Sequence, residues 1–268
     1  YLNPILIDDQ ELSEAQNVYY DNGCVITRGG YTEINSVALG SPIIGMYQYT
    51  QPDGDTWSIF KTAAGKVYKM EAMDGTMDEI GTGYNSNPPC FITFVDSAGT
   101  SIVIMFDGGI PQKWDGAAAA MSNLLDTGVG NAPNNRYAIV LNSRIYACGN
   151  STYPNRIYYT DLNDGEDWTT HGGSMTIDGN DNDNLTGLAN YSYFGSNIYN
   201  VILATKKKKL YTVDVSNATP ANWTFTCINT EIGCYSHFTI KNVGSAMTFW
   251  DGWRMQSLTG IALTPLSI

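Results

Sequence analysis

A strand–turn–strand–turn–strand unit recurs along most of the sequence and constrains the fold more than any other feature. Its third strand aligns best, reading KVYKM, PQKWD, RIYYTD, KLYTVD and WRMQSL in five successive copies. The equivalent positions in these segments are separated by 46, 45, 52 and 44 residues, and they are Tyr68, Trp114, Tyr159, Tyr211 and Met255. Short strands that recur at this spacing are typical of β-propeller blades, which are small antiparallel sheets packed around a central channel.

Alternating apolar and polar residues, interrupted by Gly, Pro, Asn and Asp, predict three strands in each copy. The predicted strands are 43–50, 56–62 and 66–70; 91–95, 101–106 and 112–114; 137–141, 144–148 and 156–161; 191–194, 199–205 and 209–213; and 237–241, 246–250 and 253–258. A β-sandwich with coincidental spacing is the alternative, but five similar units in series are hard to place in one sandwich. We therefore predict an all-β, β-propeller-like fold with about five blade-like repeats.

The first 42 residues do not follow this repeat. Asn22-Gly23 between two apolar runs predicts a hairpin with strands at 17–20 and 24–28, because Asn-Gly favours tight hairpin turns. Short helical segments are predicted at 13–17, capped by Ser13, and at 117–125. The predicted organisation is an N-terminal arm and hairpin over 1–42, followed by propeller repeats over 43–268, either complete or lacking a C-terminal part.

The composition limits the classes of partner. A formal net charge of −12 argues against wrapping nucleic acid, which requires clustered Lys and Arg. An acidic surface would still let DNA slide past it, because like charges discourage adhesion. The five cysteines lack a metal-binding or CxxC spacing, so reduced, buried thiols are expected, with a Cys227–Cys234 bridge as the alternative. No apolar run reaches the length of a membrane span.

The sequence contains no catalytic signature. The segment DLNDGEDW at 161–168 is similar to the Asp-box turn of sialidase-like propellers, but its spacing differs and such boxes are structural. Glu166 and Asp167 are neighbours in a turn, so their side chains diverge and do not face each other as a glycosidase pair would. His171 and His237 have no Cys or His partner at metal-ligand spacing. We expect no enzymatic activity, no catalytic residue, no cofactor and no metal site.

Two charged segments each allow two interpretations. The loop DGNDNDN at 178–184 offers oxygen ligands of the kind that calcium prefers. However, the sixth and twelfth positions of an EF-hand loop, normally Gly and Glu, hold Asp183 and Ala189 here, which favours a solvated loop. The basic run 206–209 is either a solvated hairpin tip or a contact for an acidic neighbour or DNA.

Several segments together resemble one family. The opening ELSEAQNVYYDNGCVITRGGYTEI at 11–34, the segment NRIYYTDLNDGEDW, the following DGNDNDNLTGL and the strand KKLYTVD resemble tail nozzle proteins of short-tailed bacteriophages. These tail-hub proteins are also called packaged-DNA stabilisation proteins. Asn17, Arg28, Gly30 and Tyr31 match the opening pattern and are expected to anchor the N-terminal arm. The chain departs from the pattern at Gly29, where the family has proline.

The resemblance implies a structural virion protein without an enzymatic site. Such a propeller subunit forms a ring, usually of six copies, below the portal and adaptor, where the ring continues the DNA channel and helps to retain the genome. The implied partners are other copies of the chain, the portal–adaptor ring, other tail proteins and passing double-stranded DNA bound without sequence specificity. The implied location is the phage tail of the virion, after assembly in the host cytoplasm.

Two other functions remain open from the sequence. A carbohydrate-binding or glycan-processing propeller, on a tail or a secreted protein, would use exposed aromatic residues in a groove, with Trp168, Trp223 and Trp253 as candidates. A general interaction scaffold resembling WD-repeat propellers is the other. The Trp-Asp signature of that class does not recur, because Trp114-Asp115 and Trp250-Asp251 are isolated.

Overall fold

The computed structural model describes residues 18–21, 24–27, 38–71, 75–191 and 201–266. The chain divides into two compact units, Tyr1–Ser36 and Val37–Ile268. In the first unit, strands β1 (Val18–Asp21) and β2 (Cys24–Thr27) pair antiparallel, with Asp21 opposite Cys24. The predicted hairpin is therefore confirmed. The predicted helical turn at 13–17 and the four residues expected to anchor the arm, Asn17, Arg28, Gly30 and Tyr31, lie outside the described residues.

The second unit contains five four-stranded antiparallel sheets in series, which confirms the predicted all-β, propeller-like class. Sheet I consists of β3 (Ile43–Thr50), β4 (Thr56–Thr62), β5 (Val67–Glu71) and β6 (Asp78–Gly81). Sheet II consists of β7 (Cys90–Val95), β8 (Ser101–Phe106), β9 (Gln112–Trp114) and β10 (Ser122–Asn123), and is followed by the small hairpin β11 (Leu125–Asp126) and β12 (Gly130–Asn131).

The remaining three sheets follow in chain order. Sheet III consists of β13 (Tyr137–Leu141), β14 (Arg144–Cys148), β15 (Arg156–Tyr159) and β16 (Gly173–Thr176). Sheet IV consists of β17 (Leu185–Tyr191), β18 (Val201–Lys206), β19 (Leu210–Asp214) and β20 (Thr224–Asn229). Sheet V consists of β21 (Lys241–Val243), β22 (Ala246–Trp250), β23 (Met255–Thr259) and β24 (Ala262–Pro265).

Two predicted elements differ from the structure, and a third lies largely outside its described residues. Instead of a helix at 117–125 there are turns and β10, because Ser122 and Asn123 pair with β9; the Asp115 carboxylate accepts hydrogen bonds from the N–H groups of Ala117 and Ala118 in a turn whose Gly116 has a φ of +90°. The first strand of sheet IV is Leu185–Tyr191, and the predicted strand 191–194 lies, apart from Tyr191, outside the described residues. In sheet V, His237–Thr239 forms a 3-10 turn and the strand begins only at Lys241.

The core consists of hydrophobic clusters between consecutive sheets rather than one central mass. Successive side chains of a strand point to opposite faces, so a buried strand serves two clusters. In β18, Ile202 and Ala204 pack toward sheet III, whereas Val201 and Leu203 pack toward sheet V. Two further clusters join sheet I to sheet II and sheet II to sheet III. Each inner sheet is thus held on both faces.

A buried ion pair links sheets I and II. The Lys61 ammonium, at the end of β4, lies 2.6 Å from a carboxylate oxygen of Asp107, which follows β8, and it also donates to the carbonyl of Asn87. Both side chains are almost completely buried. Burial lowers the pKa of Lys61, and the hydrogen bond to Asp107 counteracts that effect. The pair therefore holds the two sheets together where an unpaired charge would destabilise them.

Cys90, Cys148, Cys227 and Cys234 are free thiols. The alternative of a Cys227–Cys234 bridge was therefore wrong. Cys227 is exposed, whereas the other three described thiols are buried as expected. Within the described residues, no helix is both long and apolar enough to cross a membrane.

Candidate functional site

The innermost strands of all five sheets converge on a central pocket of about 500 Å³. Its wall combines polar and apolar surface, and the apolar part includes Met46 and Tyr47 from β3, Ile139 from β13 and Phe238 from the 3-10 turn before sheet V. Lys241 is the charged residue among the described lining residues, and no carboxylate is among them. The acidic character expected of a surface that faces DNA is therefore not located at this pocket.

His237 lies in the wall of the central pocket and is held as a neutral imidazole. Its ring stacks on Tyr137, with ring centroids 4.9 Å apart. The N–H of Leu188 donates to Nδ1 (3.4 Å), which places the ring proton on Nε2, 3.5 Å from Sγ of Cys90. Burial, aided by the nearby charge of Lys241, lowers the pKa of His237 to about 4.

Cys90, the neighbour of His237, is likewise in its neutral form, a protonated thiol. Burial raises its pKa to about 11, and its S–H donates to the carbonyl of Ala138 (3.4 Å). A nucleophilic cysteine needs a thiolate stabilised by a positive neighbour. The neutral pair of Cys90 and His237 does not provide that chemistry, so the contact is one of packing.

Asp161, Asp167 and His171 place ligand atoms close enough together to hold a metal ion. However, Asp167 Oδ2 already lies 2.7 Å from Nδ1 of His171, and Asp167 Oδ1 accepts the N–H groups of Thr170 and His171. Burial opposes the charged form of Asp167, but these hydrogen bonds outweigh it and lower the pKa of its carboxyl to about 2. The cluster is explained as a hydrogen-bonded turn at the Asp-box-like segment.

Glu166 points away from Asp167, as expected of neighbours in a turn. Its carboxylate pairs with the ammonium of Lys113 at 2.8 Å and accepts the N–H of Leu125 at 3.0 Å. The two carboxylates therefore serve different neighbours, and they do not form a facing pair of the kind that glycoside hydrolysis uses.

The acidic loop at 178–184 and the basic run at 206–209 pack against each other. Lys206, whose side chain is fully buried, lies 2.5 Å from Asp181 Oδ1 and donates to the carbonyl of Asp178. Lys209 pairs with the carboxylates of Asp178 and Asp181, each at 2.8 Å. Ion pairing raises the pKa of Lys209 and lowers that of Asp178. The loop is neither freely solvated nor in need of calcium to balance its charge.

The same contact fixes the backbone of the basic run. The Asp183 carboxylate accepts hydrogen bonds from the N–H groups of Lys207 (3.1 Å) and Lys208 (2.8 Å). Lys206 and Lys209 are thus directed into the acidic loop. Lys207 and Lys208 instead line a separate pocket that also contains Trp253. We call the union of the acidic loop and the basic run, residues 178–183 and 206–209, the acid–lysine clamp.

The three tryptophans considered for an aromatic groove do not come together. Trp168 is buried between sheets II and III, and Trp223 packs against Tyr146 and Tyr159 between sheets III and IV. Trp253 is 86% exposed at the turn between β22 and β23. Burial could not be read from residue type, because all three tryptophans follow turn-forming residues in similar contexts.

Five antiparallel four-stranded sheets in series around a central pocket define a β-propeller-like fold. The comparisons with solved structures agree: U3-55K, a β-propeller-like structure, aligns with a TM-score of 0.52 at 9% identity, over 85% of this chain and 64% of that chain. The chain thus spans less than two thirds of U3-55K.

Two further solved structures align with lower TM-scores. BBS1N in complex with ARL6DN gives a TM-score of 0.49 at 8% identity, over 85% of this chain and 66% of that one. YCF48 bound to a D1 peptide gives 0.46 at 12% identity, over 79% and 62%. Neither a protein-family model nor a curated protein sequence matches the chain.

Proposed function

We propose that this protein is a structural subunit of a bacteriophage tail. Copies of it, about six, form a nozzle-like ring that extends the DNA channel of the portal and adaptor, retains the packaged genome and then releases it. The propeller-like fold agrees with this role, and the segments at 11–34 and 156–168 carry the sequence resemblance to nozzle proteins. The ring would be assembled in the host cytoplasm and would act in the virion.

The observation that carries the proposal is the outer flank of sheet I, which is the face turned away from sheet II; Met46, in the edge strand β3, borders both this flank and the central pocket. Met46 pairs with Phe60 and Gln48 pairs with Ser58, so these four side chains lie on the face turned away from sheet II. They line a groove of about 580 Å³, and Met46 is 67% exposed there. Phe60 is already buried, so a second copy of the chain would cover chiefly Met46, whose exposed apolar side chain favours association.

The charges support a mechanical role rather than a chemical one. A protein with a net charge of −12 gains little from contact with phosphates, so DNA can pass without adhering. Several acidic groups among the described residues form internal ion pairs with lysines. Examples are the carboxylates of the acid–lysine clamp and those of Asp107 and Glu166. We infer that the chain acts by assembly and performs no catalytic step.

The test is the particle mass in solution, measured by light scattering with and without the adaptor ring. We expect a particle of about six times the 29.3 kDa subunit, formed alone or on the adaptor. Met46→Lys should break the particle into monomers, because it places a charge in the flank that the neighbouring copy covers.

Val129→Lys is the matched control. Val129 is 68% exposed, close to the value for Met46, but it lies in the β11–β12 turn away from sheet I. This variant should assemble normally. A stable monomer of the unmodified protein, both alone and with the adaptor, would contradict the proposal, and equal disruption by both variants would contradict the role of the flank.

A further inference from the structure

A pocket of about 620 Å³ lies between three segments of the chain. They are the turn of the basic run between β18 and β19, residues 231–235, and the turn between β22 and β23. We call it the Trp253 pocket, and its charged and aromatic lining residues are Lys207, Lys208, Glu231, Tyr235, Asp251, Trp253 and Arg254. The volume is within the usual range for pockets that bind small ligands.

The turn that carries Trp253 is held rigidly. One Asp251 carboxylate oxygen accepts the N–H groups of Trp253 (2.7 Å) and Arg254 (2.8 Å), and the other accepts a hydrogen bond from Gln256. Gly252 has a φ of +99° and lies against the Tyr235 ring, where an added Cβ would be 2.8 Å from a ring carbon. The backbone that carries Trp253 is therefore fixed before any ligand arrives.

Backbone hydrogen bonds connect residues 231–235, another segment of the pocket wall, to strands β18 and β22. The N–H of Tyr235 donates to the carbonyl of Trp250 (3.0 Å), and the N–H of Cys234 donates to the carbonyl of Lys206 (2.8 Å). The acid–lysine clamp fixes the backbone of Lys207 and Lys208 from the opposite side. A pre-organised pocket loses less conformational entropy on binding than a flexible one.

The pocket is more basic than the chain as a whole, because three cations, Lys207, Lys208 and Arg254, line it against two carboxylates, Glu231 and Asp251. Within the described residues, neither Lys207 nor Lys208 has a carboxylate partner at ion-pair distance, and Lys207 Nζ lies 5.8 Å from the Tyr235 ring centroid. The Arg254 guanidinium is 55% exposed and has only a long contact, 3.8 Å, with an Asp251 carboxylate that is already hydrogen-bonded. Three cations therefore remain available to an anionic ligand.

Trp253 supplies a flat apolar surface beside these cations. The electron-rich face of an aromatic ring attracts weakly positive C–H groups, such as those on one face of a pyranose ring. A ligand that joins such a face to an anionic substituent would complement both halves of the pocket. A nucleic-acid strand fits less well, because every nucleotide adds a phosphate that would meet an acidic protein beyond the pocket, whereas a single acidic sugar residue carries its charge inside the pocket.

We propose that the Trp253 pocket binds an acidic sugar residue of a glycan. The pyranose ring stacks on Trp253, and its carboxylate or sulfate pairs with Lys207, Lys208 and Arg254. The inference does not depend on ring formation, since the pocket and its frame belong to a single chain. It would give the protein a means of recognising a glycan through a single acidic sugar residue.

The test titrates the protein with four oligomers of equal length: a galacturonate oligosaccharide, a sulfated oligosaccharide, a neutral oligosaccharide and an oligothymidylate. Calorimetry reports binding, and acrylamide quenching of tryptophan fluorescence reports whether Trp253, the most exposed of the tryptophans, becomes shielded. We expect saturable binding and shielding with at least one acidic oligosaccharide, about tenfold weaker binding of the neutral one, and weakening by added salt.

Two variants locate the site. Trp253→Ala should reduce affinity at least tenfold without changing the thermal midpoint, because the side chain is exposed, and Lys207→Ala/Lys208→Ala should remove the preference for acidic sugars. Tyr153→Ala is the matched control, because Tyr153 is an exposed aromatic ring with Arg156 at 4.0 Å and lies outside the pocket. This variant should bind normally.

Three results would overturn the proposal. They are no binding of either acidic oligosaccharide, equal binding of the neutral one, and binding of oligothymidylate alone. If an acidic oligosaccharide binds but Trp253→Ala leaves the affinity unchanged, the site lies elsewhere and the assignment to this pocket is wrong. Which acidic oligomer binds distinguishes a carboxylated glycan from a sulfated one.

Discussion

Two lysines at the ends of second strands show how single residues fix the relation between sheets. Lys61 in sheet I and Lys206 in sheet IV are both fully buried, and each is neutralised by an aspartate outside its own sheet. Sequence reasoning did not predict this burial, because a lysine near a strand end normally points to solvent. Burial of the charge is possible only because the partner arrives from a distant part of the chain.

At this scale we predict a large loss of stability for Lys61→Met. The substitution leaves the Asp107 carboxylate buried without its cation, and breaking such a pair costs about 3–5 kcal/mol of the free energy of unfolding. Urea denaturation followed by tryptophan fluorescence would measure the change.

Lys66→Met, in the same sheet, is the comparison. Lys66 pairs with Glu79 at 2.7 Å, but both side chains are well exposed, so solvent screens the interaction. We expect its denaturation midpoint to stay close to that of the unmodified protein. Similar midpoints for the two variants would mean that the buried Lys61 pair contributes no more to the free energy of unfolding than the exposed Lys66 pair.

At the scale of elements, the inner three strands of each sheet were largely predictable and the fourth was not. The inner strands are buried on one or both faces, so their apolar residues alternate or run together, as in β8 and β18. The outermost strands are edges, and edges carry polar residues or proline. Ser122–Asn123 and the strand Ala262–Pro265, which ends in proline, therefore lack the periodicity that sequence reasoning detects.

The candidate sites were predictable only in part, for a related reason. Both halves of the acid–lysine clamp were recognised as charged segments, but nothing in their spacing indicated that the connection into sheet IV would fold onto the β18–β19 turn. Likewise Trp253 was one of three tryptophan candidates, and its exposure depends on the absence of a sheet over that turn among the described residues. Long-range packing decides such cases.

For the acid–lysine clamp as an element, we predict that calcium has no effect on stability. The carboxylates of Asp178 and Asp181 are already paired with Lys206 and Lys209, and that of Asp183 accepts two backbone N–H groups. A cation would have to displace these partners. The thermal midpoint should therefore be the same in calcium chloride and in EDTA, and a clear rise with calcium would show that the loop is a cation site.

At the scale of the whole molecule, the five sheets meet at the central pocket, and a titratable group lies in its wall. His237 is stacked on Tyr137 and contacts Cys90, and Lys241 is the nearby charge that disfavours its protonation. Protonation would introduce a second positive charge where all five innermost strands converge. The other histidine, His171, is exposed and hydrogen-bonded to Asp167, which raises its pKa.

We therefore predict that stability falls as the pH drops from about 6.5 toward about 4. The pKa of His237 is lower in the folded state, so the unfolded chain binds the proton more tightly across this window. The stabilising contribution of the neutral His237 side chain is therefore fully present above pH 6.5 and is lost as the pH falls toward 4. The pH dependence of the urea midpoint measures it, and His237→Gln should flatten the slope.

His171 affects the pH dependence of stability in the opposite direction, so it serves as the control for His237. Its raised pKa means that protonation favours the folded state, with the benefit lost as the pH rises through the folded-state pKa. His171→Asn should therefore leave the loss between 6.5 and 4 in place or make it steeper. A slope that is unchanged by His237→Gln and abolished by His171→Asn would reverse the assignment.

Each four-stranded sheet takes its strands from one continuous stretch of chain, in the order in which they occur. A growing polypeptide can therefore complete a sheet soon after that stretch leaves the ribosome, and then lay the next one against it. The same arrangement governs the reverse process. Under tension applied at its ends, such a molecule would release its sheets one after another, and the stretch of backbone freed at each step would be a single sheet with its connection.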